Sequence, residues 1–323
     1  MNVCVFKAQA ASTVKIGFVL STLQEERYQK DEKYFIAEAK KLGLIPIVLS
    51  ADNNPQTQRA KVENLLSQGV KALVIQPVNS NSAASLVKLA HEDNVPVISY
   101  DRLIEKAPVD FYLTVNSFEI GRLQAQAAVD ATHGQGNYVL LMGQAGQSVV
   151  ADIVKGWHSV LDKYPKIKVV VEQNHEGWSP QLAMTTTENA LTKYKNKVDA
   201  VLGMNSGMAS GAVQALVAQG LAGKVFVAGS DADLAAIKNI VAGRQQFEIV
   251  MDIKSLAETA AEVAGQLAHG QKPPYDELTK NGDSEVPTRS MGVYAVTKNN
   301  LDERIFKPGF HTRSAVGLAA SAP

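Results

Sequence analysis

The chain has 323 residues, 46% of them hydrophobic and 20% charged, with 32 basic side chains balancing 32 acidic ones. That length exceeds one ordinary hydrophobic core and suits two domains, while zero net charge leaves no electrostatic footprint for a nucleic acid. The single cysteine, Cys4, excludes an intrachain disulfide, and the six histidines show no HxxxH or HExxH spacing, so no metal site is expected.

Residues 1–13 carry the small-residue stretch AQA without a full apolar core and read as a leader remnant or a disordered tail. From Val14 onward, short apolar runs alternate with segments of helical spacing, the pattern of a βαβ series. Strands are predicted at 14–20, 46–50, 72–77, 95–101 and 111–115, then at 138–143, 169–173, 200–204, 225–230 and 247–251. Most are unbroken Val, Ile and Leu runs, as expected of strands covered on both faces. Between them, Phe35, Ala39 and Leu42, and again Val62, Leu65 and Leu66, repeat at helical spacing, with Gly43 and Gly69 as stops. A helix is expected over 254–267, followed by a polar connection, HGQKPPYDELTKNGD. No apolar run approaches the roughly 20 residues that span a bilayer.

A break near Val115 to Glu119 divides the series, giving an α/β fold of two doubly wound, Rossmann-like lobes joined by a three-segment hinge. Crossings near 116, 252 and 286 assign 14–116 plus 253–286 to the N-terminal lobe and 117–252 plus 287–312 to the C-terminal lobe, with 313–323 as a disordered tail.

In an open parallel sheet the carboxyl ends of the strands border the ligand crevice. VPVISYDR ends in Asp101 and Arg102, VFVAGSDAD delivers Asp231, and AVLGMNSG delivers Asn205. One such end is as readily a solvated loop, but three suggest a single polar crevice. Trp178, between a glycine and a Ser-Pro turn, suits stacking on a ligand, whereas Trp157 on a helix reads as core. The run EERYQKDEK is a solvated helix face apart from Arg27. Neither GxxxxGK[ST] nor a GxGxxG after a strand occurs, so no nucleotide cofactor is indicated.

VKIGFVL, EERYQKD, GVKALVIQP, VPVISYDR, GNYVLLMG, GWSP, AVQALVAQGLAGKV and GSDADLAAIKNIVAG follow one another in that order. Over roughly residues 14–312 the chain thereby resembles the periplasmic sugar-binding proteins of ABC importers, which have the type I periplasmic binding protein fold, and most of all their D-xylose-binding branch. The resemblance implies a monosaccharide enclosed between two lobes by hinge closure and delivered to a membrane permease. It implies a periplasmic monomer without cofactor or enzymatic activity; a chemoreceptor or sensor histidine kinase is the alternative partner. It places Arg27, Tyr28, Asp101, Arg102, Trp178, Asn205 and Asp231 on the ligand.

Two departures stand out against the xylose-binding pattern. Gln147, Ser148 and Val149 replace a polar Asp-Asn-Asn run, and Asp252 stands where a lysine is expected. With Gln147, Ser148 and Asp252 in the pocket, a cation would give way to an anion, which is costly when buried unless a donor compensates. The expected ligand is then a sugar or polyol other than xylose, or a donor-rich derivative.

Two other classes compete. A sugar-responsive repressor of the same fold needs a helix-turn-helix ahead of the first strand, and only 13 residues precede Val14. A glycosidase could use Asp101 and Asp231 as its carboxylate pair, but Arg and Asn neighbours favour permanently ionised acceptors over a raised-pKa acid.

Overall fold

The computed structural model describes residues 14–319. The reading of 1–13 as a leader remnant or tail, and the last four residues of the predicted tail, lie outside the described residues.

All ten predicted strands form. The first lobe runs β1 (Lys15–Leu20), α1 (Glu26–Lys41), β2 (Ile45–Ser50), α2 (Pro55–Ser67), β3 (Leu73–Ile75), α3 (Ala84–Glu92), β4 (Val97–Tyr100) and β5 (Phe111–Val115). The second runs α4 (Ser117–Thr132), β6 (Gln135–Met142), α5 (Ser148–Leu161), β7 (Lys166–Asn174), α6 (Pro180–Lys193), β8 (Ala200–Gly203), α7 (Ser206–Ala218), β9 (Phe226–Ala228), α8 (Leu234–Val241) and β10 (Glu248–Met251). The chain then returns through α9 (Ile253–Ala268), β11 (Glu277–Asn281) and β12 (Ser284–Met291) before β13 (Val293–Val296).

Both lobes are wound alike. The first sheet has the order β11-β12-β5-β4-β3-β1-β2 and the second β7-β6-β8-β9, extended by a bridge from Ala228 to Phe247 that brings in β10 and its antiparallel partner β13. The winding reverses at β1 in one lobe and at β6 in the other, so each lobe has a switch point where loops splay apart and leave a crevice.

Strand alternation sorts the first core. On β1, Ile16, Phe18 and Leu20 face α1 and α9, while Val19 faces α2 and α3. Phe18 meets Phe35 and Tyr100 at centroid distances of 4.9 Å each, and burying such a ring contributes about 1.5–3 kcal/mol. Leu42, expected on the buried face of α1, is instead 45% exposed because it caps the helix after the last core turn. Trp157 is fully buried core, its Nε1 donating to Gln124 Oε1 at 2.9 Å.

The chain crosses between lobes at Asn116, at Asp252 and at Gly292. The third crossing lies beyond the predicted 286, because Thr288–Met291 pair in parallel with Tyr112–Val115 inside the first sheet. The polar connection hides a hairpin, β11 to β12, in which Asn281 pairs with Ser284 across Gly282 and Asp283. Its charged, proline-containing strands lack the apolar run by which the others are recognised; the NGD triplet is the signal that marks it. Residues 314–316 form a 3-10 turn whose Val316 packs with Ile237, Ile240, Leu301 and Ile305, so 313–319 is a packed strap rather than a loose tail.

Candidate functional site

The N-lobe half of the site is a cross-paired cluster of buried charge. Asp101 follows β4 with φ 64, a conformation that aspartate tolerates better than most residues, and it is held there by Asp101 N donating to Leu113 O at 2.7 Å and by Thr114 Oγ1 donating to Asp101 O at 2.9 Å. Both carboxylate oxygens are engaged: Arg27 Nη2 lies 2.6 Å from Oδ1, and Gln76 Nε2 donates to Oδ2 at 3.1 Å. Arg102 donates to Ser21 Oγ at 3.1 Å, to Pro77 O at 3.2 Å and to Tyr28 OH at 2.9 Å. Asp31, one turn after Arg27, lies 3.5 Å from its Nε and accepts from Tyr100 OH at 2.5 Å. Burial pushes the Asp31 carboxyl up to about 6 despite those partners.

The C-lobe half offers isolated groups on unusual backbone. Trp178 sits in a 3-10 turn with φ 56, and Gln147 Oε1 accepts its Nε1 at 2.8 Å. The ring lies against Gly143 at the end of β6, where any Cβ would overlap the indole. Asn205 caps α7 by accepting Met208 N at 2.8 Å through Oδ1, which leaves its Nδ2 as a donor. Asp231, at φ 100, has Oδ1 3.8 Å from Arg27 Nη1 across the cleft. Burial pushes its carboxyl well above the usual range, opposed by Arg27.

These halves border one cleft between the lobes. Arg27, Tyr28, Asp101, Arg102, Trp178, Asn205 and Asp231 line it, as expected, and Val115, Ile120, Val149, Ile153, Met204 and Met251 form an apolar wall. The Arg102 guanidinium lies 5.8 Å from the Trp178 ring centroid, within cation–π range. Two guanidiniums face the carboxyls of Glu25, Asp101 and Asp231, an array of charged donors and acceptors that suits an uncharged ligand rich in hydroxyls.

Three predicted site residues lie elsewhere. Gln147 and Ser148 stand at the rim: Gln147 Nε2 donates to Val78 O at 3.1 Å, Ser148 N to Ser80 Oγ at 3.0 Å, and Leu103 N to Ser148 Oγ at 2.9 Å. With Ser80 N donating to Gly146 O at 3.0 Å, they form a clasp that joins one lobe to the other. Asp252 caps α9, accepting Ser255 N at 3.1 Å, and lines a separate hinge-side groove. The side chain that this segment presents to the interlobe cavity is Met251, one residue earlier, because successive residues at a strand end point to opposite sides. The charge reversal expected from Asp252 therefore does not arise.

Sequence reasoning missed Glu25 and Gln76. Glu25 precedes α1 and lines the cavity, burial pushing its carboxyl up while Arg102 and Arg27 oppose the shift. Gln76 ends the run ALVIQP, so the strand-end rule that found Asp101 reaches it too.

Residues 16–272 match the periplasmic binding protein domain. The chain belongs to the periplasmic binding protein family. Among its relatives, the D-xylose-binding periplasmic protein of Escherichia coli K12 is 43% identical over 310 residues, covering 95% of this chain and 94% of that protein. The D-xylose-binding periplasmic protein of Haemophilus influenzae is 39% identical over 97% of this chain and 95% of its own. In three dimensions, a solute-binding protein of an ABC transporter from Clostridium phytofermentans with bound β-D-glucose matches at a TM-score of 0.87 and 25% identity, covering 94% of this chain and 99% of that one. Among the described residues no helix is long and apolar enough to cross a membrane, and no group of three or more His, Cys, Asp or Glu side chains could hold a metal ion.

Proposed function

We propose that this chain is the extracytoplasmic receptor of an ABC importer for a neutral monosaccharide, with D-xylose the first candidate, and that it hands the sugar to a membrane permease as a monomer. The observation that carries this reading is the interlobe cavity, in which charged donors and acceptors face an indole and an aliphatic wall. In the proposed complex Arg27, Arg102 and Asn205 Nδ2 donate to sugar oxygens, and Asp101 and Asp231 accept from hydroxyls. Hydrogen bonds to charged groups are the stronger kind, while the C–H face of the ring lies on Trp178 and the wall carrying Val149, Ile153 and Met251.

Asp252 lies outside the cavity, so no anion replaces a cation there, and the 43% identical relative named for D-xylose supports a pentose. No covalent step is proposed. Both oxygens of Asp101 already accept from cationic or amide donors, the surroundings of a hydrogen-bond acceptor.

Calorimetric titration with D-xylose, L-arabinose, D-ribose, D-glucose and xylitol tests the reading. D-Xylose is expected to bind with Kd about 1 μM or tighter, roughly −8 kcal/mol. Silence across the whole panel overturns it.

A further inference from the structure

Glu248, the first residue of β10, is fully buried in the C-terminal lobe and lines no part of the cavity. Its Oε2 accepts from Ser206 Oγ at 3.0 Å and from Ala232 N at 3.2 Å, and its Oε1 from Gln245 Nε2 at 2.7 Å. Ser206 follows Asn205 and Ala232 follows Asp231, so one carboxyl grips the neighbours of both polar groups that this lobe offers to the ligand. The Ser206 hydroxyl extends the grip by accepting Asp233 N at 3.1 Å. Gly229 makes room for this arrangement, since a Cβ there would overlap Glu248 Oε1.

The backbone shows why such a brace is needed. Asp231 and Ala232 have φ values of 100 and 53, which side-chain-bearing residues adopt rarely and keep only where surrounding bonds over-determine them. Glu248 holds Ala232 N, Ile249 O accepts Asp231 N at 2.9 Å, and His311 Nε2 lies 2.8 Å from Ala232 O.

We infer that Glu248 is a positioning residue for the ligand site, setting the placement of Asn205 relative to Asp231 through Ser206 and Ala232 without touching the ligand. Burial pushes the Glu248 carboxyl up to about 8 against three hydrogen bonds, and the Asp233 carboxyl opposes its ionisation further. The charged or titratable groups around it are Asp231 and Asp233 on the β9–α8 loop and His311, two residues ahead of the C-terminal strap.

The affinity arm of the test rests on the sugar-receptor reading, with D-xylose as probe; the other arm needs no ligand. Amide hydrogen exchange is compared in the wild type, E248L and E248Q, together with thermal melting. In E248L, Ala232 and Asp233 are expected to lose protection while β8 amides keep theirs, and D-xylose Kd is expected to rise about 10-fold, as when buried donors lose their acceptor. E248Q keeps an acceptor for Ser206 and Ala232; it should restore most of both. Unchanged exchange at Ala232 and Asp233 in a folded E248L overturns the inference, as does an E248Q that behaves like E248L. If wild-type protein ignores D-xylose and the rest of the sugar panel, the sugar reading fails while the exchange arm still decides the role of Glu248.

Discussion

The two halves of the cavity are built on opposite principles. In the N-terminal lobe, Arg27, Asp101, Arg102, Gln76 and Tyr28 bond to one another and to backbone that belongs to the same lobe. In the C-terminal lobe, Trp178, Asn205 and Asp231 do not bond to each other, and two of them sit on positive-φ backbone held by neighbours. The N-terminal half is thus held by bonds within its own lobe, whereas the C-terminal half meets it where the clasp of Gln147, Ser148 and Ser80 joins the lobes. A second contact closes the opposite rim, where Glu26 on α1 accepts Leu234 N of α8 at 2.9 Å and so caps a helix of the other lobe. That helix has no side-chain cap of its own.

The contrast breaks most visibly at Asp101. Asp101→Ala leaves Arg27 and Gln76 without their shared acceptor and should cost about 3–5 kcal/mol, as removal of one partner of a buried pair does. Melting temperature and sugar affinity should fall together, as calorimetry would show; loss of affinity alone would mean that the cluster is not structural.

Asp31 tests the same lobe through pH. Its pKa is about 6 in the fold against a reference of 3.8, so the folded protein binds the extra proton. The stability this contributes is full below pH 3.8 and is lost as pH rises through 6, on the order of 2–3 kcal/mol. Asp31→Asn should flatten the dependence of melting temperature on pH between those limits. An unaltered slope would assign the effect to other groups.

Asp231→Asn probes the other half. Its only cationic contact within the protein, among the described residues, is Arg27 at 3.8 Å, so the loss should fall on the ligand: affinity weaker by about 1.5–3 kcal/mol, as for a hydrogen bond to a charged group. The melting temperature without ligand should stay level or rise, because a poorly paired buried carboxylate is removed. A fall in stability as large as that of Asp101→Ala would erase the distinction between the lobes.

The smallest expected effect is that of Gln147→Leu, which removes one bond across the cleft and frees the Trp178 indole. Stopped-flow fluorescence should show a faster off-rate by a few-fold, about 1 kcal/mol, with the on-rate nearly unchanged. A change confined to the on-rate would contradict a role in holding the closed state.

The chain's order of elements was legible before any coordinates, because buried parallel strands need unbroken apolar runs and the helices between them need a helical repeat of apolar positions. The strand-end rule also found Asp101, Arg102, Asn205 and Asp231, since the winding of such sheets brings strand ends to one crevice wherever polar residues occur there. Tertiary structure alone decided which way each terminal side chain points. Asp252 and Met251 are neighbours in sequence, and a half-turn of backbone puts the thioether in the cavity and the carboxylate on the hinge. It also decided that Gln147 and Ser148 bond across the cleft and that Glu248 braces two loops, because partners 69 and 68 residues apart meet only where the lobes meet, and partners 42 residues apart only once the C-terminal lobe has folded. Local pattern sets what a strand is; contacts between distant segments set what its last residue does.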